Sequence, residues 1–280
     1  LKVWGFPHMK NEKLETSIIK SNILVDSRYS LSLQEMKLLL WMIKEIDIND
    51  KHWKTYKIWI KDFVDITDIK RPSMYKEAKA LTKRFLSRVV ELKEGKSLIQ
   101  THFMSSVEYQ DGEGFILYDF HPKMKPHLLR LKKSFLKYDI ENVIHMRSVY
   151  SIRIYELIAD FKGLGKRTIT LEQLKYILLV EDKYKQWNDF KRRVLEPAKR
   201  DCLKYSDLYF DYTIKKRGRK VHSITFHIKR QKQKRLFDGE PFEENKNILN
   251  ITATDPKIIE LMEKDKDTTP PPKDILNRIK

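Results

Sequence analysis

KRTITLEQLKYILLV, residues 166–180, is the stretch on which the fold turns, because a strand, a helix cap and a helix follow one another inside it. Residues 167–169 read as a short strand. Thr170, Leu171, Glu172 and Gln173 form a capping box, in which a hydroxyl and an amide each take up a backbone N–H left free at a helix start. Ile169 and Leu174 supply the hydrophobic staple beside it, and a helix runs from there to about Val180. Upstream, a helix from about Val149 places Ile154, Leu157, Ile158 and Phe161 on one face and stops at Gly163 and Gly165. Downstream, residues 185–204 turn Trp187, Phe190, Val194 and Ala198 inward and Lys185, Asn188, Lys191, Arg192, Lys199 and Arg200 outward. Pro197 is expected to kink or divide that helix, because its ring blocks a backbone bond. Residues 208–214 and 221–228 then make a hairpin about Lys215, Lys216, Arg217, Gly218, Arg219 and Lys220. Helix, strand, helix, helix, hairpin is the order of a winged helix.

The same order occurs earlier in the chain. Ser32, Leu33, Gln34 and Glu35 form a capping box stapled by Leu31 and Met36. Met36, Leu39, Leu40, Ile43 and Ile46 recur at helical spacing until the acidic cluster at residues 47–50. A strand at 56–60, a short helix near 62–68 and a longer one over 73–92 follow. Residues 96–121 then alternate like two strands about Asp111-Gly112, with Ile116, Tyr118 and Phe120 facing opposite to Phe115, Leu117 and Asp119. The expected fold class is α+β, two tandem winged-helix domains with a flexible C-terminal tail. The expected domains are residues 14–138, 139–235 and a partly disordered tail, 236–280. That tail holds Pro270, Pro271 and Pro272 and a short helix near 256–264. Leu1 to His8 precede the first Met and are set aside as an expression remnant.

Composition bounds what these domains do. The 280 residues include one Cys, too few for a disulfide framework or a Cys-based zinc module. The longest apolar run is six residues, Leu38 to Ile43, against the roughly 18 that cross a bilayer. The expectation is a cytoplasmic protein with no membrane partner. The net charge is +18, and the tail's ten acids and seven bases leave +21 on residues 1–235. A field of that size attracts polyanions, and here it belongs to the folded part.

No catalytic constellation emerges. Gly163, Leu164, Gly165 and Lys166 fail as a phosphate loop, since Arg167 stands where a metal-binding hydroxyl belongs and Asp160 where the first Gly belongs. His222 and His227 are five apart in a strand and point to opposite faces, so they do not share a metal. Glu91 and Lys93 echo a nuclease signature that arises by chance in a chain 34% charged. Cys202 reads as a core residue rather than an activated thiol. Trp41, Tyr155 and Trp187 sit at core-facing positions rather than as platforms for stacked bases. The chain is read as a non-enzyme that needs no metal or cofactor.

Its basic residues point to duplex DNA. In a winged helix the second helix of the helix-turn-helix enters the major groove and the wing presses on nearby phosphates. In the second domain Lys185, Asn188, Lys191, Arg192 and Arg193 mix an amide suited to adenine with groups suited to guanine. Its wing tip carries five bases in six residues, Lys215, Lys216, Arg217, Arg219 and Lys220. The first domain offers Ser73 and Tyr75, then a stripe of Lys76, Lys79, Lys83 and Arg84, but its wing tip, residues 110–114, is acidic and repels phosphate. The second domain is therefore expected to be the main DNA-binding one, and the first to carry protein contacts with DNA touched through its helix.

Two stretches carry a family resemblance. Ser21-Asn22 through the Leu-rich helix to Ile46, and above all DFKRRVLEPA, residues 189–198, with the basic wing and ITFHI, residues 224–228, resemble the replication initiator (Rep) proteins of theta-replicating, iteron-containing plasmids. The likeness covers roughly residues 14–230, and the 189–198 segment is its most specific part. It implies two winged-helix domains that bind direct repeats at a plasmid origin, as monomers, and promote opening of an adjoining AT-rich region. It also implies homodimers, in equilibrium with monomers, that pair through the first domain and repress their own promoter, with host initiator and helicase as partners. The two domains, joined near residues 139–147, would then straddle one repeat in successive major grooves. A winged-helix transcriptional repressor without initiator activity is the alternative, and an enzyme acting on DNA the third reading.

Overall fold

The computed structural model describes residues 17–47, 50, 54–62, 74–110, 112–129 and 134–231. Strand β1 (Ser17–Ser21) leads into α1 (Asn22–Val25), which Ser21 caps by accepting the Leu24 N–H, and into β2 (Arg28–Tyr29). Helix α2 (Leu33–Lys44) starts where the capping box places it: Ser32 Oγ accepts the Glu35 N–H, and the Ser32 N–H donates to Glu35 Oε2 at 2.7 Å. The same buried carboxylate receives Arg88 Nε at 3.0 Å, which ties the helix start to a distant loop. Then come β3 (Tyr56–Trp59) and α3 (Met74–Leu86).

Here the structure corrects the sequence reading. The helix expected to reach residue 92 stops at Leu86, where Ser87 Oγ donates to the Arg84 carbonyl at 2.7 Å. Strands β4 (Val89–Glu94) and β5 (Ser97–His102) follow, joined by Gly95-Lys96, with Gly95 at φ 59°, a conformation that only glycine adopts without strain. The β-branched pair Val89-Val90 favours strand over a further helical turn. Residues 96–121 hold three strands rather than two, since β6 (Met104–Tyr109) and β7 (Phe115–Phe120) come after β5. The fully buried Phe103 marks the crossing between sheets, and its carbonyl accepts the His121 N–H. Ile116, Tyr118 and Phe120 are the buried face of β7, as their alternation requires. The expected helix near 62–68 falls for the most part outside the described residues, as do Ser73, Asp111, residues 1–8 and the tail helix near 256–264.

Helix α4 (Lys125–Leu128) and β8 (Phe135–Asp139) close the first half, with β8 antiparallel to β1. Residues 140–147 are a packed joint: Ile140, Val143, Ile144 and Met146 are buried, and Asn142 Oδ1 accepts the Asp207 N–H at 2.8 Å. Helix α5 (Val149–Ala159) is buried from Ser151 to Ala159, Arg153 and Glu156 included. Gly165, at φ 69°, ends the turn after it and donates to the Phe161 carbonyl. Strand β9 (Lys166–Thr170) and helix α6 (Leu171–Leu178) then reproduce the deciding stretch, with Thr170 Oγ1 accepting the Gln173 N–H. A left-handed Leu179 ends α6.

The long basic helix begins at Trp187, two residues later than expected. It divides into α7 (Trp187–Phe190), a π turn (Lys191–Leu195) and α8 (Glu196–Tyr205). Pro197 accounts for the division: it offers no N–H, and its ring would strike the carbonyl four residues back in an α register. The backbone widens instead, and the Glu196 N–H reaches back five residues to the Lys191 carbonyl. Strands β10 (Leu208–Arg217) and β11 (Lys220–Arg230) complete the chain described.

Strand order exposes the duplication. The first half has β3-β7-β6 and the second β9-β11-β10, in each case the strand after the first helix paired with the last strand of the hairpin. Sheet β2-β4-β5 and the β1-β8 pair are additions to that plan. Phe210 and Phe226, edge to face at 5.2 Å, sit in the second core, and Phe85 stacks on Phe103 at 5.7 Å in the first. Cys202 is fully buried and its thiol pushed up by burial, so it is a core residue. Among the described residues no helix is long and apolar enough to cross a membrane, and no group of three His, Cys, Asp or Glu is placed to hold a metal ion.

Candidate nucleic-acid interface

The second winged helix offers two basic features on one frame. Phe190, Val194, Ala198 and Cys202 are fully buried along the inner side of α7, the π turn and α8, so the outer side carries Asn188, Lys191, Arg192, Arg193 and Arg200, all exposed. Lys185 is exposed too, but lies just ahead of the helix rather than on it. Trp187 and Phe190 pack at 6.2 Å and anchor the helix start. Arg192 reaches back to Asp189 at 3.0 Å, an exposed pair of the kind that costs little to break. Lys191 and Arg193 make no ion pair among the described residues, so their charge is free to meet an anion.

The wing is longer than the sequence reading allowed. Its strands continue to Arg217 and Lys220, leaving Gly218-Arg219 as a two-residue turn with Gly218 at φ 61°. Positive φ at the first position is what a type II′ turn demands. Lys215, Lys216, Arg217 and Lys220 therefore stand on the strand arms rather than in a loop. A bulge between Lys215 and Lys216 re-aims the arm. All five wing bases are exposed and make no ion pair among the described residues.

What joins helix to wing was not visible in the sequence. Glu196 Oε1 accepts from the Tyr212 hydroxyl at 2.8 Å, and Lys199 Nζ meets Asp211 Oδ1 at 3.0 Å. Both bonds run from α8 to β10, so the helix and the hairpin are braced as one unit. Burial, the Glu196 bond and the Glu196 and Asp211 charges push the Tyr212 hydroxyl above its ordinary range and keep it protonated as a donor. No local signal marks this brace, because its partners are 12 and 16 residues apart.

In the first winged helix the stripe Lys76, Lys79, Lys83 and Arg84 is exposed along α3, opposite the buried Ala78, Leu81 and Phe85. Lys79 rests 5.3 Å from the Tyr109 ring, whose hydroxyl bonds Thr82 at 2.7 Å. Tyr75 is exposed at the start of α3. Near the wing tip Trp59 pairs with Phe115 across β3 and β7 at 5.6 Å, with Lys57 over both rings. Glu113 is exposed at the tip, which keeps it unsuited to phosphate.

Comparison with known proteins fits this geometry. Residues 17–159 match the family profile described as Initiator Replication protein, WH1, and residues 170–228 match Initiator Rep protein, WH2. A replication initiation protein of Escherichia coli is 26% identical over 233 residues, 78% of this chain and 71% of its own length. A second Escherichia coli relative, named only as an uncharacterized 27.6 kDa protein, is 25% identical over 231 residues, 76% of this chain and 95% of its own. The crystal structure of Pi initiator protein in complex with iteron DNA superposes with a TM-score of 0.65 at 20% identity, covering 79% of this chain and all of that one, a likeness of fold. Both winged-helix modules lie in order on one chain, and the chain therefore belongs to the plasmid replication initiator (Rep) family.

Proposed function

We propose that this protein binds direct repeats in double-stranded DNA at a plasmid origin, promotes opening of the origin, and represses its own promoter. The observation that carries the reading is the braced unit of the second winged helix: an exposed helix face of Asn188, Lys191, Arg192 and Arg193 fixed to a wing of five unpaired bases. A helix of that composition reads base edges, and a wing of that charge holds phosphates. The domains divide as residues 14–138, the site of protein contacts with a secondary DNA contact through Lys76, Lys79, Lys83 and Arg84, and residues 139–235, the main DNA-binding part. Lys185 takes a flanking phosphate rather than a base, since it precedes the helix. A homodimer in equilibrium with the monomer serves repression, and host initiator and helicase are the partners in opening.

Footprinting on the DNA flanking its own gene, at two salt concentrations, tests this. Regularly spaced protection over direct repeats is the expected result. Protection of a single inverted repeat would favour a repressor, and salt-sensitive coating without pattern would defeat sequence-specific binding.

A further inference from the structure

Between the two winged helices lies a buried charged cluster that DNA contact does not require. Lys20 of β1 and Glu156 of α5 meet at 2.6 Å, each with no solvent exposure. The Tyr138 hydroxyl of β8 donates to the same carboxylate oxygen. Arg153, one turn before Glu156, donates to the Tyr29 hydroxyl and, at 2.8 Å, to the Ser27 carbonyl, with its guanidinium 4.2 Å from the Tyr29 ring. Its third contact, to Glu156 Oε2, is 3.4 Å. Lys20, Ser27 and Tyr29 belong to strands and turns of the first half, whereas α5, although it ends the stretch that matches the WH1 profile, packs chiefly against α8 of the second. Three more bonds cross the same seam at its rim: Arg167 to Asp26 at 2.9 Å, Arg28 to Glu181 at 2.7 Å, and Asn22 to Asp160 at 2.8 Å.

Such a cluster is a poor way to gain stability. Taking ions out of water costs several kcal/mol each, and apolar replacements of like volume are often neutral or stabilising. What it supplies is directionality. Two apolar faces slide past one another at small cost, but a guanidinium gripping a carbonyl, a hydroxyl and a carboxylate does so in one orientation.

We propose that Lys20, Arg153 and Glu156 are positioning residues that set the angle at which the two winged helices are presented to DNA. This rests on the reading that both domains engage one repeat. Their two helices then meet successive grooves only if the angle between them is held, and the second domain's contact adds to the first as an intramolecular event only in that geometry.

The decisive variant is Lys20→Met. Burial pushes the Lys20 amine below its ordinary range, and its removal leaves the Glu156 carboxylate facing the Arg153 guanidinium and the Tyr138 hydroxyl. Nitroxide labels on Lys96→Cys and Glu172→Cys, both exposed and one in each half, report the interdomain distance by pulsed electron resonance in the full chain. The buried Cys202 takes no label. The expected result is a broader distance distribution for Lys20→Met, with a lowered melting temperature but a single cooperative transition, and roughly tenfold weaker binding to the duplex that the unsubstituted protein protects. A distribution that overlays that of the unsubstituted protein overturns the proposal, as does a broadened one with unaltered DNA affinity. Tyr29→Phe, which deletes only the hydroxyl that Arg153 grips, is read in the same way and decides the matter should Lys20→Met not fold. If the unsubstituted protein protects no repeat, the functional reading fails, whereas the distance measurement, made without DNA, still judges the angle.

Discussion

Replacing Lys216 and Arg217 by Ala separates affinity from specificity. Both side chains are exposed on the wing arms and make no ion pair among the described residues, so their loss leaves the core, the Glu196 and Asp211 braces and the melting temperature unchanged. Suppose that about six phosphates are neutralised in all; log affinity then falls with log salt at a slope of roughly −5. With two of those contacts gone the slope becomes about −3.6. Raising salt from about 50 to about 200 mM costs the unsubstituted protein roughly three decades of affinity and the variant roughly two. Fluorescence anisotropy titrations at four salt concentrations measure both slopes, on the protected duplex and on an unrelated duplex of equal length. The two duplexes should weaken alike, because phosphates carry no sequence. An unchanged slope, or a loss confined to the specific duplex, would refute the assignment of these residues to the backbone.

Further outcomes follow from the core and the seam. Phe210→Ala empties a fully buried site edge to face with Phe226, and urea unfolding should record a loss of about 3 to 5 kcal/mol. Cys202 should resist thiol reagents in the native protein and react at once on unfolding, since burial both screens the thiol and holds it protonated. Burial alone would raise the Glu156 carboxyl, but Lys20, Arg153 and two hydrogen bonds outweigh it and hold the group below its ordinary 4.5. A lowered carboxyl contributes stability that is present above that ordinary value and is lost as pH falls through the folded one. The stability gap between the unsubstituted protein and Glu156→Gln should therefore be constant near neutrality and shrink on acidification below about pH 4.5; a gap independent of pH would count against the pairing.

The duplicated winged helix was legible because its signals are local. Ser32 and Thr170 begin their helices through bonds to residues three positions on, and the alternation of β7 is complete within six residues. Pro197 announced a break, though not its form as a π turn. The β4–β5 hairpin was hidden because Val89 to Glu94 continues a helix-like run, and its neighbour β2 lies some sixty residues upstream. The same distance effect hid the β1–β8 pair, where Ser17 meets Asp139. In the candidate interface the charges could be read directly, but not what holds them. Glu196 and Tyr212, or Lys20 and Glu156, look like ordinary polar residues until the fold brings them together.

The π turn has a consequence for where the two sides of the basic helix point. It holds one residue more than an α-helical path between the same ends, and the surplus falls between the exposed Asn188 and the buried Ala198. The widening takes up that residue locally, so the segments on either side keep the faces they would have in an unbroken α-helix. Pro197 holds the turn open, because its ring is set against the carbonyl four residues back. Asn188 therefore stays on the exposed side while Ala198 stays in the core, and the helix accommodates a proline without turning its basic face away.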